Sequence, residues 1–319
     1  MAQAIGVYSK LLLCPEKSLN TLPASLTGKV KAMPFNSVSL AASQNTTDPG
    51  TISGRRDSVE AVYGNIDVSG QITVPVDSKA MGWWLAFAFG SPTTTSAGSG
   101  KYKHVFKAAN TQPSASIEKV FNNGVVLKES GCKVSKLGFS FGGDGELVCN
   151  IDVVGCNETI EASAWSGATP VQMERYNNFQ ASLLIDGDAQ QIATEVTCDI
   201  DFGIDTEGYA IGGNGYRARA NEGIIKPSGN ITVFFDDATY LTKAEQSDEM
   251  SIEIDLTHGE NVLKLIMPEV KFARTSPSID GPTGITQQMD YNAYFGDSDE
   301  GACVLFELTN DVASYAFEG

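Results

Sequence analysis

Apolar and polar residues alternate along several stretches of this chain, a pattern typical of strands that bury one face. Apolar residues alternate with glycine, serine or lysine over residues 137–141, and the alternation resumes over residues 147–153 after a Gly-Gly-Asp-Gly turn. Residues 133–155 are therefore predicted to form a β-hairpin. The same pattern predicts a second hairpin that pairs residues 263–272 with residues 285–295. The predicted fold class is mainly β.

The most apolar segment, residues 79–89, follows Ser78, which we interpret as the N-cap of a short helix. Its spacing places four residues on one face, although a strand is the alternative: Met81, Trp84, Leu85 and Ala88. The Ser/Thr/Gly-rich residues 90–100 are predicted to form a mobile loop. A further strand is expected over residues 101–106, where His104 is interpreted as structural.

One strand pattern occurs twice. Ser69–Asp77 reads SGQITVPVD, and SGNITVFFD begins at Ser228, 159 positions after Ser69 in a chain of 319 residues. Two shorter similarities lie at nearly the same offset and accompany the pair: Asn36–Leu40 with Thr194–Cys198, and Gly54-Arg55-Arg56 with Gly215-Tyr216-Arg217. We interpret this as an internal duplication.

The duplication predicts how the chain is divided. The predicted parts are an extended N-terminal arm (1–35), a first β unit (36–155), a connector (156–193), a second β unit (194–310) and a C-terminal tail (311–319). Each β unit should bury one face of its strands and leave the other face polar.

The chain carries a formal net charge of −17, from 22 lysines and arginines against 39 aspartates and glutamates. This excludes general affinity for DNA or for anionic membranes, yet an acidic wall is what a conduit for DNA requires. Candidate acidic residues occupy the polar positions of predicted strands: Asp152, Asp199, Asp201, Glu253 and Asp255. The terminal apolar run is too short for a signal peptide, so synthesis and folding in the cytoplasm are expected.

The sequence offers little material for catalysis, since it has two histidines and no nucleophile, metal or nucleotide motif. We therefore expect no enzyme activity and no cofactor. The six cysteines are interpreted as buried thiols in a reducing compartment. Trp83 and Trp84 are interpreted as core or subunit-interface residues, with a carbohydrate-stacking platform as the alternative.

Three stretches together resemble the tail tube proteins of long-tailed, siphovirus-like bacteriophages and prophages. They are the run GNIDVSGQITVPVD (64–77), the Gly-Trp-Trp-Leu segment before a Ser/Thr/Gly loop, and the hairpin residues 138–147. The resemblance implies duplicated β-sandwich or barrel units with short flanking helices. It also implies stacked rings whose inner strands form one continuous barrel around a channel for DNA, with no catalytic residues.

The resemblance predicts a virion tail protein assembled in the host bacterial cytoplasm, with no membrane anchor. Its expected partners are copies of itself, the tape-measure protein and the tail-terminator or tip proteins, while DNA passes without specific binding. Because such rings are commonly hexamers of a single unit, a duplicated chain predicts a trimer with pseudo-sixfold symmetry, and a hexamer is the alternative.

The expected contacts between rings or subunits involve Trp83, Trp84, Lys101 and Tyr102. We also expect the N-terminal arm and the loop 90–100 to become ordered only between stacked rings. The alternative functions are a two-sandwich adhesin or virion decoration protein that binds carbohydrate, and a carbohydrate hydrolase that uses paired carboxylates.

Overall fold

The computed structural model describes residues 3–279 and 281–319, and strands dominate this part of the chain. The mainly β prediction is confirmed. The strands are β1 (Lys10–Pro15), β2 (Lys31–Met33), β3 (Ser37–Val38), β4 (Ala41–Thr47), β5 (Val62–Pro75), β6 (Thr93–Gly98), β7 (Lys101–Lys107), β8 (Ala115–Val120), β9 (Val126–Gly142), β10 (Val148–Gly155), β11 (Asn157–Glu161), β12 (Thr169–Pro170), β13 (Ala181–Ile185), β14 (Asp188–Gln190), β15 (Ala193–Asp201), β16 (Lys226–Phe234), β17 (Met250–His258), β18 (Asn261–Phe272), β19 (Thr286–Ala293) and β20 (Leu305–Asn310). The helices are α1 (Met81–Phe89) and α2 (Thr239–Gln246), with single 3-10 turns at Gly6–Tyr8 and Asn178–Gln180.

A small sheet contains the N-terminal strands, in the order β11-β9-β8-β1-β2-β12. Leu11 and Leu13 of β1 are almost fully buried, because β1 pairs with β8 along its whole length. This differs from the predicted extended arm over residues 1–35, since residues 10–33 pack on this chain's own strands. The first two residues of that arm lie outside the described residues.

The large sheet has two sections, which are joined where β19 of the first section pairs with β18 of the second. The first section runs β4-β5-β10-β9-β15-β16-β19, with β3 also paired to β5, and every pairing is antiparallel. The predicted hairpin over residues 133–155 is confirmed as β9 and β10. β9 then pairs with β15 over seven register positions, from Gly142 opposite Glu195 to Lys136 opposite Asp201. The sheet therefore passes without a break from the first predicted unit to the second.

The second section runs β6-β7-β20-β18-β17-β13-β14. The predicted pairing of residues 263–272 with 285–295 is wrong over most of its length, because β18 and β19 pair only at residues 270–272 and 291–293. Along the edge that faces β19, residues 262–266 of β18 pair with β20 instead. The opposite edge of β18 pairs with β17. Asp280, in the predicted turn between these strands, lies outside the described residues.

The two sections pack against each other through apolar side chains. The ring of Phe139 from the first section lies 5.6 Å from the ring of Phe306 in the second, and Cys198 Sγ lies 4.0 Å from Met267 Sδ. These residues are among the most buried of the chain, so the main core lies between the sections. The alternation seen in the sequence therefore separates this core from an outer polar face.

Helix α1 is confirmed, but two details of its prediction are wrong. Ser78 is not the N-cap, which is Ala80; instead, Asp77 accepts hydrogen bonds from the N–H groups of Lys79 and Ala80, both at 2.6 Å, in the turn that leads into the helix. The helix is also buried on almost every side rather than on one face, since only Trp83 is partly exposed. The cause is the C-terminal tail, where Tyr315 packs so closely on Gly82 that a Cβ atom there would lie 2.3 Å from its ring.

The predicted mobile loop over residues 90–100 is instead the exposed strand β6, which pairs with β7. Its threonines have branched side chains that favour extended backbone, and this preference outweighs the loop-like composition of the segment. The strand lies at one end of the second section, where it pairs with β7 alone among the described strands.

The two copies of the repeated stretch occupy β5 and β16. In both, the glycine after the serine is required by the preceding strand: a Cβ at Gly70 would lie 2.6 Å from Leu40 N, and one at Gly229 would lie 2.0 Å from Thr197 O. In both, a helix and a hairpin follow, and α2 begins at Thr239, 158 positions after Met81. The orders β5-α1-β6-β7 and β16-α2-β17-β18 therefore match element by element.

Candidate functional site

The outer surface of the first section is a continuous polar face, hereafter the polar face. It alternates with the core positions on every strand, so that Asn150 and Asp152 point away from the core while Ile151 and Val153 are buried. Register places the polar residues of neighbouring strands side by side. One row runs Gln71, Asp152, Lys136, Asp201, Lys226 and crosses from β5 to β16.

Hydrogen bonds and one ion pair hold these side chains along the polar face. Four contacts join neighbouring strands: Gln71 Nε2 donates to Asp152 Oδ1 at 2.8 Å, Thr73 Oγ1 to Asn150 Oδ1 at 2.9 Å, Ser140 Oγ to Glu195 Oε1 at 3.1 Å, and Lys136 Nζ lies 3.1 Å from Asp199 Oδ2. The carboxylates remain partly exposed to solvent, so their charge is felt beyond the surface.

Acidic side chains outnumber basic ones on the polar face. The acids are Asp152, Glu195, Asp199, Asp201 and Asp290, and the bases are Lys136 and Lys226. The other members of this face are mostly serine, threonine, asparagine and glutamine. Such a surface is hydrated and repels polyanions without offering a site that binds them.

Glu253 and Asp255 belong to a different surface, because β17 lies in the second section. Lys264 Nζ lies 2.5 Å from Glu253 Oε1 and 2.9 Å from Asp255 Oδ2, so one lysine partly compensates both acids. Burial raises the pKa of Asp255, and the neighbouring charge of Glu253 adds to this rise. The five acidic residues chosen from the sequence therefore divide into three on the polar face and two on the second section.

Comparison with known proteins agrees with this architecture. A family described as Phage tail tube protein matches residues 6–293, nearly the whole chain. The chain belongs to this family. It is a structural component of a phage tail, and membership implies self-assembly into a tube with other tail proteins. No curated protein matches the chain.

The two tryptophans of this tail tube protein occupy different environments. Trp84 is 1% exposed and lies in the core, one of the two positions that the sequence allowed. Trp83 is partly exposed, with its ring 5.3 Å from that of Tyr315 and Lys31 Nζ 4.6 Å from its centre. The two rings therefore do not form the exposed stacking platform that the carbohydrate-binding alternative requires.

Lys101 and Tyr102 lie at the start of β7, both partly exposed. Lys101 Nζ donates a hydrogen bond to Asn261 Oδ1 at 2.8 Å, so this side chain joins β7 to the start of β18. A contact of these two residues, or of Trp83 and Trp84, with another copy stays a prediction.

The histidine and cysteine side chains that catalysis could use are mostly buried in the described chain. His104 is buried, and its Nε2 hydrogen-bonds the carbonyl of Val312 at 2.8 Å. The six cysteines are free thiols, and five of them are buried.

Within residues 3–279 and 281–319, no helix is both long enough and apolar enough to cross a membrane.

One acidic cluster has the spacing of a cation site, with oxygens of Glu249, Glu269 and Asp297 within 4.8 Å of one another. The buried carboxylate of Glu269 already accepts hydrogen bonds from the N–H groups of Gly296, Asp297 and Ser298. Burial raises its pKa, but these three hydrogen bonds outweigh that effect and the pKa is lowered. The carboxylate thus fixes the turn after β19.

Sequence analysis missed Arg217 as a structural residue. It is 3% exposed and lies in the long connection between β15 and β16. Its guanidinium pairs with Asp67 and donates to the carbonyl oxygens of Gly155 and Val68. The signal was present in the repeated Gly-x-Arg at residues 215–217, but its partners lie in the other half of the chain.

Proposed function

We propose that copies of this chain assemble into rings that stack into the tail tube, with the polar face lining the channel that conducts DNA during ejection. The observation that carries the proposal is the first section itself, one continuous set of hydrogen-bonded strands that crosses both predicted units. An acidic, hydrated wall suits this role because a passing polyanion must not bind to it. Glu253 and Asp255, on the second section, then face the outside of the tube.

The edges of the first section support ring formation. Among the described strands, β4 pairs with β5 alone, and residues 286–290 of β19 pair with β16 alone. Unpaired strand edges are liabilities that proteins cover or close, and pairing β19 of one copy with β4 of the next closes both edges of the first section. The pairing of β9 with β15 inside the chain provides a template for that junction.

The matching order of elements in β5–β7 and β16–β18 supports the duplication, with a first unit over residues 36–155 and a second over 194–310. Each chain then supplies two positions of a pseudo-sixfold ring, so that the ring is a trimer. Tape-measure and terminator or tip proteins complete the tail, which is assembled in the host cytoplasm as part of the virion.

Electron microscopy of the concentrated, purified protein tests this assembly. We expect rings or cylinders, with end-on class averages that show threefold symmetry and approximate sixfold symmetry. Six whole chains in one ring would contradict the trimer, and a persistent monomer at high concentration would contradict self-assembly without other tail proteins.

The orientation of the polar face is tested by thiol labelling in a Cys303→Ser background. Ser140 on the polar face and Ser182 on the second section are both exposed in the single chain, so S140C and S182C form a matched pair. With a bulky maleimide, we expect S140C to react at least tenfold more slowly in tubes than in monomers, because the channel excludes the reagent. S182C should keep its rate, and the reverse pattern would place the other section inward.

A further inference from the structure

Each predicted unit carries a ribbon that extends beyond the main sheet. Ribbon 1 consists of residues 43–67, with β4 and the start of β5 joined by an exposed tip at 48–61. Ribbon 2 is the irregular connection 202–225, where Asp205 N donates to Asn221 O at 2.8 Å and Tyr209 bridges to Arg217. The two ribbons occupy equivalent places, since each joins the strand before the repeated Ser-Gly stretch to that stretch.

Ribbon 2 docks on ribbon 1 within the chain. Ile66 N donates to Gly215 O at 2.8 Å, and Tyr209 OH donates to Ile66 O at 3.3 Å. The buried side chain of Arg217 pairs with Asp67 and donates hydrogen bonds to the carbonyl oxygens of Val68 in β5 and of Gly155 at the end of β10. A guanidinium buried with this many acceptors fixes both position and orientation.

The tip of ribbon 1 carries the related residues, but among the described residues its two arginines make no ion pair or side-chain hydrogen bond with the second unit. Gly54-Arg55-Arg56 stands where Gly215-Tyr216-Arg217 stands in ribbon 2. Arg55 forms an ion pair only with Asp57, and both side chains are more than 70% exposed. Arg56 is exposed and makes no ion pair or side-chain hydrogen bond among the described residues.

The surface that ribbon 1 needs exists on the second unit. Ile225 stands 159 positions after Ile66, so residues 225–227 correspond to residues 66–68. Ile224, just before them, is 76% exposed, and Lys226, the second of them, is exposed. This is the side of the second unit that has no further unit beside it in the single chain.

We propose that ribbon 1 of one copy docks on residues 225–227 of the adjacent copy, with Arg56 inserted as Arg217 is inserted within the chain. The inference rests on the proposed ring and names its lateral contact. One difference separates the two sites: Lys226 stands where Asp67 stands, so Arg56 meets backbone carbonyl oxygens and a lysine rather than a carboxylate. Lys226 therefore weakens the contact between chains relative to the contact within the chain.

Substitutions in single side chains test the contact. Arg56→Ala should raise the protein concentration needed for assembly about tenfold, the equivalent of about 1.4 kcal/mol. The neighbouring Arg55→Ala is the matched control and should change it less than twofold. Lys226→Asp should lower the concentration, because it supplies the carboxylate that Asp67 supplies in the first unit. Equal effects of the two arginine variants, or weaker assembly of Lys226→Asp, would overturn the proposal.

Disulfide trapping tests whether ribbon 1 contacts the adjacent copy within a ring or a copy in the next ring. The R56C/K226C variant, in the Cys303→Ser background, should on oxidation of assembled tubes give covalent species that end at the ring size. R56C/K243C, with its second cysteine on α2, should stay unlinked. Links that run beyond the ring size would place ribbon 1 between rings and overturn lateral docking. Cylinders of the wild-type protein without links in R56C/K226C would overturn the docking and leave the tube intact, whereas absence of wild-type cylinders would count against the proposed function itself.

Discussion

Helices α1 and α2 follow the two copies of the same stretch, yet one lies in the core and the other on the surface. Eight of the nine residues of α1 are buried, whereas Ala244 is the only buried residue of α2. The difference comes from a segment outside the repeat. The C-terminal tail covers α1 and has no counterpart over α2 among the described residues, so two helices in matching positions differ in burial.

The tail is held by specific contacts. Tyr315 is fully buried, its OH donates to the carbonyl of Lys79 at 2.8 Å, and Asn310 Nδ2 donates to the Tyr315 oxygen at 2.7 Å. The ring of Phe317 lies 5.7 Å from that of Phe87. Tyr315 and Phe317 are therefore part of the core, although they lie within the last five positions of the chain.

The largest expected effect comes from removing the cover of α1. Tyr315→Ala should lower the free energy of unfolding of the monomer by about 3–5 kcal/mol, as for other large buried aromatic residues. Tyr240→Ala is the matched control on α2, where the side chain is half-buried, and should cost about 1 kcal/mol. Urea denaturation followed by tryptophan fluorescence measures both. Similar losses would mean that the tail does not distinguish the two helices.

The alternation of apolar and polar residues predicted the mainly β fold and the hairpin of β9 and β10, and the continuous apolar segment over residues 79–89 predicted α1. It could not predict which partner each strand takes: β18 forms its hairpin with the preceding strand β17 rather than with β19, and its other edge is occupied by β20, which lies further along the chain. Composition also misled over residues 93–98, where threonines form an edge strand.

For the candidate site, the two-residue alternation along the strands placed Asp152, Asp199 and Asp201 on polar positions, and the structure brings them onto one face. Period alone could not separate them from Glu253 and Asp255, since that requires knowing that β15 and β17 belong to different sections. The burial of Arg217 could not be predicted for a related reason, because it depends on carbonyl groups of Val68 and Gly155 in the other half of the chain.

The two units also differ in how they bury a carboxylate. In the first, Glu129 is fully buried with Lys119 Nζ at 2.6 Å and Glu158 nearby; burial, which outweighs the lysine, raises its pKa to about 8. In the second, the three N–H groups that bind Glu269 lower its pKa. One side chain is therefore held protonated near neutral pH and the other ionised.

These opposite shifts predict opposite pH dependences. Glu129 keeps its proton in the folded state above the pH at which the unfolded chain loses it, so its contribution is lost as pH rises from about 4.5 to about 8, by up to about 1.4 kcal/mol per pH unit. Glu129→Gln should flatten the dependence of unfolding free energy on pH in that window.

Glu269 stabilises the fold above about pH 4.5, and this stabilisation is lost as pH falls below that value, so Glu269→Gln should instead remove acid sensitivity. Chemical denaturation from pH 3 to pH 9 separates them, and profiles that change in the same direction would contradict the assignment.

The smallest expected difference lies at the start of the two helices. Asp77 is fully buried and accepts hydrogen bonds from two N–H groups before α1, whereas Asp237 is exposed and accepts one from Thr239 at 2.8 Å. Asp77→Ala should therefore cost about 1–2 kcal/mol, and Asp77→Asn, which keeps an oxygen acceptor, should cost much less. Asp237→Ala should change stability by less than half of the Asp77→Ala loss, because water replaces the lost acceptor. An equal loss at both caps would show that α2 is held as firmly as α1, and the contrast between a buried and an exposed copy would then not extend to their helix ends.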